Sequence, residues 1–358
     1  MSDQLTNLRE KIDSLDEQIQ ELITQRAKVA EQVAKAKENS GDAVFYRAER
    51  EAEVLRKVMA RNKGPLSNEE MARLFREIMS ACLALEQVMS IAFLGPEGTF
   101  TQAAALKHFG HSVKTLPMTT IADVFREVES GAASYGVVPV ENSTEGVITH
   151  TLDSFMTSPL KICGEVALRI HHHLQNKSGQ IEDIKKIYSH QQSLAQCRYW
   201  LDTNLPGVEL RDVGSNAKAA QLAASEKGAA AIAGETAAEI YGLKIVRKNI
   251  EDQPDNTTRF IVIGKRNTPA SGVDKTSLLV YTDNKSGALY NMLEPLARNG
   301  LSMTRIESRP SRQGMWNYVF FIDVEGHITD KNLKLAVTEL EKTASMVKVL
   351  GAYPQAVL

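Results

Sequence analysis

Apolar residues recur along the first 40 positions at alternating spacings of four and three, the period of one face of an α-helix. The stripe has one gap, and neither Gly nor Pro occurs before Ser40; its members are Leu8, Ile12, Leu15, Ile19, Leu22, Val29, Val33 and Ala36. This pattern predicts one helix of about 35 residues, roughly 50 Å long at the usual rise per residue. The segment holds too few other residues to bury the stripe, so we expect it to pair with a second chain.

Two further helices are predicted before residue 90. After a break at Gly41-Asp42, the second runs from about residue 45 to 62 and ends before Gly64-Pro65. The third begins with a Ser-x-x-Glu capping box at Ser67 and Glu70 and continues to about Met89. The first ninety residues are therefore expected to be all-helical.

From residue 90 the pattern changes to short apolar runs, such as IAFLG, YGVVPVEN, AAAIAG and TRFIVIG. Helical stretches such as TIADVFREVES separate most of them, which predicts an α/β domain with a mainly parallel sheet. Its length suits two lobes with a cleft between them. Residues 265–274, which include Pro269 and Gly272, are typical of a linker.

The remaining residues alternate in the order strand, helix, strand, strand, helix, strand. The helices are GALYNMLEPLARNG and DKNLKLAVTELEKTA, and the strands include TSLLVYT and WNYVFFIDVEG. This βαββαβ order predicts a ferredoxin-like sandwich of the α+β class. We expect three domains, at residues 1–90, 91–267 and 274–358.

Composition narrows the class of protein. Lys and Arg number 42 against 44 Asp and Glu, a net charge of −2, so no basic excess indicates nucleic acid or an anionic membrane. Hydrophobic residues make up 43% of the chain, enough to form folded cores. The first residues are charged, without the apolar core of a signal sequence, and the three cysteines form no disulfide or metal pattern. We expect a cytoplasmic protein.

The gap in the first stripe falls at Arg26, where an apolar residue is expected. Lys37 lies eleven residues on, about 20° away around the helix and roughly 16 Å along it, so both cations project from one face. Arg9 is rotated by about 100° and is better placed to serve a partner chain's site. A buried cation needs an anion, which is either an internal Glu or a bound ligand.

Residues 1–90 resemble the all-helical chorismate mutase domain, in LREKIDSLDEQI, Arg26, AKAK and RAERE. The resemblance implies three helices in an intertwined homodimer, whose arginines grip the two carboxylates of chorismate while a pericyclic rearrangement runs without a nucleophile. Some relatives have Asp, Ser and Gln where this chain has Arg47, Cys82 and Glu86. The implied chorismate contacts are Arg9, Arg26, Lys37, Arg47, Arg50, Glu51 and Glu86, with Lys37 and Glu86 at the ether oxygen.

Three loops of the central region carry candidate chemistry: GPEGTF, ENSTEG after a strand, and TTRF at the start of a late strand. In GPEGTF, Gly98 and Thr99 precede a helix, where their backbone amides are expected to face an anion. Each is weak alone, since Gly turns and polar loops are common. The triplet 171–173 of histidines is not expected to bind metal, because adjacent strand residues point to opposite faces. No dinucleotide or P-loop motif occurs.

Together and in this order, GPEGTF, ENS and TRF resemble the prephenate dehydratase family over residues 90–267. The resemblance implies two α/β lobes similar to periplasmic binding proteins, with Thr258 as the catalytic residue in the cleft. Strand alternation places Thr257 on the opposite face. The implied prephenate contacts are Thr99, Glu141, Asn142, Ser143, Thr144 and Gln196.

The last region resembles an ACT regulatory domain, in GAL before its first helix and ESRP at the end of its second strand. In dehydratases with such a domain, these segments bind phenylalanine. The implied effector site is Gly287, Ala288, Leu289, Glu307, Ser308, Arg309 and Pro310. The alternative is purely structural, with Gly287 starting a helix and Pro310 ending a strand.

The leading interpretation is a bifunctional enzyme that rearranges chorismate to prephenate and then converts prephenate to phenylpyruvate, under feedback inhibition by L-phenylalanine. It needs no cofactor or metal. We expect a homodimer, with a tetramer left open. The alternatives are a monofunctional prephenate or arogenate dehydratase with degenerate mutase helices, and a non-catalytic amino-acid sensor.

Overall fold

The computed structural model describes residues 2–40, 46–283, 285–310 and 318–357. The chain divides into two compact units, one built mainly from the N-terminal helices and the other from the regions after residue 90. No helix in the described ranges combines the length and the apolar character needed to cross a membrane.

Three helices make up the N-terminal region: α1 (Ser2–Ser40), α2 (Ala48–Arg61) and α3 (Asn68–Glu86). The prediction of a long uninterrupted first helix is confirmed, since α1 spans 39 residues. The predicted break at Gly41-Asp42 lies outside the described residues. The apolar stripe of α1 faces outward, with Leu8 51%, Leu22 63% and Val33 45% exposed. Within this chain the stripe is therefore uncovered.

The predicted capping box of α3 is half formed. Ser67 Oγ accepts a hydrogen bond from the Glu70 amide at 3.1 Å, which satisfies one of the free amides of the first turn. The Glu70 carboxylate bonds Arg73 at 2.7 Å.

The central region contains two lobes. Its elements are β1 (Ser90–Leu94), α4 (Phe100–Phe109), β2 (Lys114–Met118), α5 (Ile121–Ser130), β3 (Tyr135–Asn142), β4 (Gly146–Val147), α6 (Thr149–Thr157), β5 (Lys161–Arg169), β6 (His173–Asn176), β7 (Lys186–Ser189), α7 (Gln191–Gln196), α8 (Arg198–Asn204), β8 (Glu209–Asp212), α9 (Asn216–Ser225), β9 (Ala229–Ala233), α10 (Glu235–Tyr241), β10 (Lys244–Arg247) and β11 (Thr257–Gly264). One sheet has the order β2-β1-β3-β11-β5, with β4 beside β3, and the other has the order β10-β6-β9-β7-β8.

The two-lobed α/β prediction is confirmed, but the expectation of mainly parallel strands is wrong, because both sheets are mixed. Strand β11 lies antiparallel between β3 and β5, and β6 runs antiparallel to β9 and β10. The chain passes from the first lobe to the second after β5 and returns after β10. The returning strand β11 is inserted against the direction of its neighbours, and the short strands β6 and β10 gave no clear sequence signal.

The last region has the predicted βαββαβ order: β12 (Asp274–Thr282), α11 (Ala288–Arg298), β13 (Met303–Pro310), β14 (Tyr318–Glu325), α12 (Lys331–Thr343) and β15 (Met346–Pro354). The sheet order is β13-β14-β12-β15. Leu278, Ile322 and Leu333 are fully buried between the sheet and the helices. The ferredoxin-like expectation is confirmed.

This sheet packs on the first lobe through a shared hydrophobic core, in which Leu350 and Tyr353 lie with Ile162 and Phe155. Strand β15 approaches β5 so closely that a Cβ added at Gly351 would collide with the Ile162 carbonyl. Only a residue without a side chain fits there.

We expect Gly351→Ala to destabilise this junction by about 1–3 kcal/mol, because the new methyl group meets backbone atoms that cannot rotate away. Thermal unfolding of the full-length protein checks this. Gly214→Ala is the matched control, since a Cβ there has no neighbour within 4 Å. Equal melting curves for both variants would contradict this packing.

Candidate active site

Thr258 lies at the start of β11, directly opposite Asn142 at the end of β3. Thr258 is 7% exposed. Its neighbour Thr257 is only partly buried, and its backbone amide and carbonyl bond the Oγ and the amide of Ser143, each at 2.9 Å. The two threonines therefore differ in environment, as the alternation of a strand requires.

The side chain of Asn142 has one possible orientation. Its Oδ1 accepts hydrogen bonds from the backbone amides of Thr144 (2.9 Å) and Glu145 (3.0 Å), and a backbone amide can only donate. Its Nδ2 therefore donates, to Thr258 Oγ1 and to Asn256 Oδ1, each at 2.8 Å. Because Thr258 accepts this bond, its own hydroxyl hydrogen stays available to donate.

Gln196, at the end of α7, continues the network into the second lobe. Its Oε1 accepts from Asn256 Nδ2 at 3.1 Å and lies 2.8 Å from Nε2 of His172. Its Nε2 lies 3.3 Å from Oε1 of Glu145. Burial raises the pKa of Glu145, while His190 opposes that change. The polar cluster thus joins both lobes where the chain crosses between them.

The GPEGTF loop is folded around its own helix start. The Gly98 amide donates to Gln102 Oε1 at 2.6 Å, and Thr99 Oγ1 donates to the Leu94 carbonyl at 3.1 Å while accepting from the Gln102 amide at 3.4 Å. The Gly98 amide is bonded to Gln102, although we expected it to be open to an anion. Thr99 lies beside the loop's turn as a helix cap.

Glu141, the first residue of ENSTEG, contacts the last region of the chain. Nε of Arg305 on β13 lies 3.3 Å from its Oε2, and the Arg305 side chain is 11% exposed. Arg309, on the same face of β13, lies 2.9 Å from Asp153. The strand that carries ESRP therefore reaches both the ENSTEG loop and α6.

In the helical region, Lys37 Nζ lies 3.9 Å from Glu86 Oε2. Burial raises the pKa of Glu86, and Lys37 partly opposes this. Arg26 is exposed, and within the described residues no hydrogen bond or ion pair involves it. In the described part of this chain, no internal Glu forms an ion pair with Arg26.

Sequence comparisons agree with this architecture. Family profiles match residues 8–87 (chorismate mutase type II), 91–268 (prephenate dehydratase) and 276–342 (ACT domain). A Stutzerimonas stutzeri protein named bifunctional chorismate mutase/prephenate dehydratase is 58% identical, over 100% of this chain and 99% of its own length.

The chain belongs to the family of bifunctional chorismate mutase/prephenate dehydratases.

Two solved structures resemble three quarters of the chain. The Arthrobacter aurescens prephenate dehydratase in complex with L-Phe is 35% identical, covering 75% of this chain and 90% of its own, with a TM-score of 0.69. GqqA, described as a novel type of quorum quenching acylase, is 32% identical, covering 75% of this chain and 98% of its own, with a TM-score of 0.70. The family membership includes the mutase region, so the bifunctional interpretation is preferred over a monofunctional dehydratase or a sensor.

The remaining predicted residues lie as follows. Arg50 bonds Glu53 at 3.1 Å on α2, and Arg47 and Glu51 lie at the N-terminal end of that helix.

Gly287 has φ +80° and precedes α11, whose second residue Leu289 is 47% exposed. Thr144 is exposed on the turn after Asn142. On β13, Glu307 is half-buried with Arg309, whereas Ser308 and Pro310 are exposed.

Sequence reasoning missed four residues of the cluster: Asn256, His172, Glu145 and Arg305. Asn256 lies two residues before Thr258, and period-two alternation was a signal that the two share a face. The sequence distinguishes His172 only as a member of the histidine triplet 171–173. In the described ranges, no group of three potential ligands is arranged to hold a metal ion.

We expect mutase turnover to fall as pH rises through the raised pKa of Glu86, because only the protonated carboxyl can donate to the ether oxygen of chorismate. Glu86→Gln keeps a donor at every pH, so its pH–rate profile should be flat over the same range. Steady-state rates from pH 5 to 9 check this. If the variant keeps the wild-type slope, another group controls the reaction.

Proposed function

We propose that dehydration takes place at Thr258. Breaking the bond between the ring and its carboxylate releases CO2, the electron pair moves into the ring, and the C–O bond to the ring hydroxyl breaks. Thr258 donates its hydroxyl hydrogen to the leaving oxygen, which departs as water, and solvent returns the proton to Thr258. Aromatisation supplies the driving force, so the site has only to orient the substrate and assist the leaving group.

One observation supports this role above the others. Asn142 Nδ2 donates to Thr258 Oγ1 at 2.8 Å, and Asn142 is itself fixed by two backbone amides. A hydroxyl whose oxygen is already engaged by a donor points its hydrogen elsewhere. The arrangement prepares Thr258 as a donor before any substrate is bound.

We propose that the mutase reaction takes place between two copies of the chain. The uncovered stripe of α1 needs an apolar partner, and a second α1 supplies one of matching length and spacing. Arg26 and Lys37 then bind the chorismate carboxylates and ether oxygen, with Arg9 reaching the partner's site and Glu86 beside Lys37. A guanidinium pairs with a carboxylate through two parallel hydrogen bonds, which suits the two carboxylates of chorismate.

We further propose that phenylalanine binds at residues 287–289 and 307–310 and acts on dehydration through β13. Arg305 lies two residues before Glu307 and pairs with Glu141, which adjoins Asn142. A ligand that moves β13 would therefore change the position of the loop that orients Thr258. Inhibition requires only that phenylalanine bind one arrangement of β13 more tightly than another.

Two single variants test whether the reactions use separate sites. Arg26→Ala should lower mutase kcat/KM by about a hundredfold or more and leave dehydration intact, whereas Thr258→Ala should do the reverse. Lys28→Ala and Thr257→Ala are matched controls on the same helix and strand. Loss of both activities in either variant, with the fold preserved, would contradict two separate sites.

A third variant tests the route of inhibition. Arg305→Gln should raise the phenylalanine concentration that half-inhibits dehydration, by several-fold up to about a hundredfold, because it removes the ion pair to Glu141. Arg298→Gln, an exposed arginine that pairs with Glu294 and Glu339 within the ACT region, is the control. An inhibition curve unchanged from wild type would exclude this route.

A further inference from the structure

In the hydrogen-bond network around Thr258, each side-chain amide has its donor and acceptor ends fixed by its neighbours. It starts at the backbone amides of Thr144 and Glu145, which fix Asn142 as a donor to Asn256 Oδ1. With its oxygen occupied, Asn256 must turn its Nδ2 toward Gln196 Oε1, at 3.1 Å. The orientation of three side-chain amides therefore follows from two backbone groups.

His172 acts on the same oxygen from the second lobe. Its Nε2 lies 2.8 Å from Gln196 Oε1, which is already an acceptor, so Nε2 must carry the hydrogen. Its Nδ1 is buried and has no hydrogen-bond partner in the described structure, which also disfavours a hydrogen on that atom. Burial lowers the pKa of His172, which favours the neutral ring, and Phe100 lies edge-on to it at a centroid distance of 5.7 Å.

We infer that Asn256 and His172 are positioning residues of the dehydratase, which together hold Gln196 so that its Nε2 group faces the substrate as a donor. This inference rests on the proposed dehydratase site. One Nε2 hydrogen is directed toward Glu145 at 3.3 Å, and the other is free for a substrate oxygen. Both polar side-chain atoms of Asn256 are taken, by Asn142 and Gln196, and His172 is 1% exposed, so both residues act through Gln196 rather than by touching prephenate.

The orientation matters because an amide presents either a donor or an acceptor. Prephenate is a dianion, so a donor attracts it and a carbonyl oxygen in the same place repels it. A freely rotating Gln196 would offer both. Because Asn256 and His172 both donate to the Gln196 oxygen, the only orientation left is the one in which Nε2 faces the substrate.

Asn256→Asp tests the inference, because it replaces the amide NH2 group by an oxygen and reverses the direction of donation. One carboxylate oxygen still accepts from Asn142, while the other accepts from Gln196 and turns the Gln196 oxygen toward the substrate. We expect KM for prephenate to rise about ten- to a hundredfold, the loss typical of one hydrogen bond to a charged group. Asn256→Ala, which lets Gln196 rotate, should have a smaller effect.

The imidazole of His172 gives a readout that does not depend on activity. In the wild-type full-length protein, ¹⁵N chemical shifts should show His172 with hydrogen on Nε2, and His172→Gln identifies its signals. In Asn256→Asp the Gln196 amide becomes the donor, so the hydrogen should move to Nδ1. Asn204→Asp, which adds the same charge at an exposed site, should leave the signals unchanged.

The outcomes separate this inference from the proposed function. A His172 hydrogen that stays on Nε2 in Asn256→Asp, or an equal rise in KM in the Asp and Ala variants, overturns the positioning role. Dehydration that survives in Thr258→Ala overturns the proposed site instead. Mutase activity of the same polypeptide and its melting temperature show whether each variant is folded.

Discussion

The proposed dehydratase site depends on the two backbone amides that bind Oδ1 of Asn142. A backbone amide cannot reverse its role, so these two bonds decide which end of Asn142 faces Thr258 and Asn256. Everything further along the network, up to the hydroxyl hydrogen of Thr258, inherits that direction. In the proposed dehydration, the tight turn after β3 that supplies the amides therefore contributes to the chemistry, although none of its atoms needs to touch the reacting bonds.

Strand β11 serves two regions of the protein through its alternating faces. Thr258 faces the polar cluster, while the next residue, Arg259, bonds Glu165 at 2.9 Å, Asp323 at 2.5 Å and the Tyr353 hydroxyl at 3.0 Å. Lys275 adds a second cation, 2.8 Å from Glu165, so this buried group pairs two cations with two anions. Because removing one partner would leave an unpaired buried charge, the network ties β11 to the ACT sheet.

Features set by local pattern were predictable from the sequence: the period of α1, the βαββαβ order, and the motifs that contain Thr258, Asn142 and Gln196. Features set by contacts between distant segments were not. The mixed sheets follow from a chain that crosses between lobes twice, and Asn256 meets Gln196 across 60 residues of sequence. The GPEGTF loop shows a related limit, since the sequence reveals the Gly98 amide but not that Gln102 already binds it.

The two proposed sites treat substrates of the same charge differently, and the chemistry explains why. In the mutase both carboxylates persist through the reaction, so cations such as Arg26 stabilise the transition state as well as the substrate. In dehydration one carboxylate loses its charge as CO2 departs, and a strong ion pair to it would stabilise the substrate more than the transition state. Neutral donors such as Thr258 and Gln196 avoid that penalty. The pairing of Arg305 with Glu141 is consistent with this. The Arg305 guanidinium near the site is already paired with a protein carboxylate and so does not bind the carboxylate of the substrate.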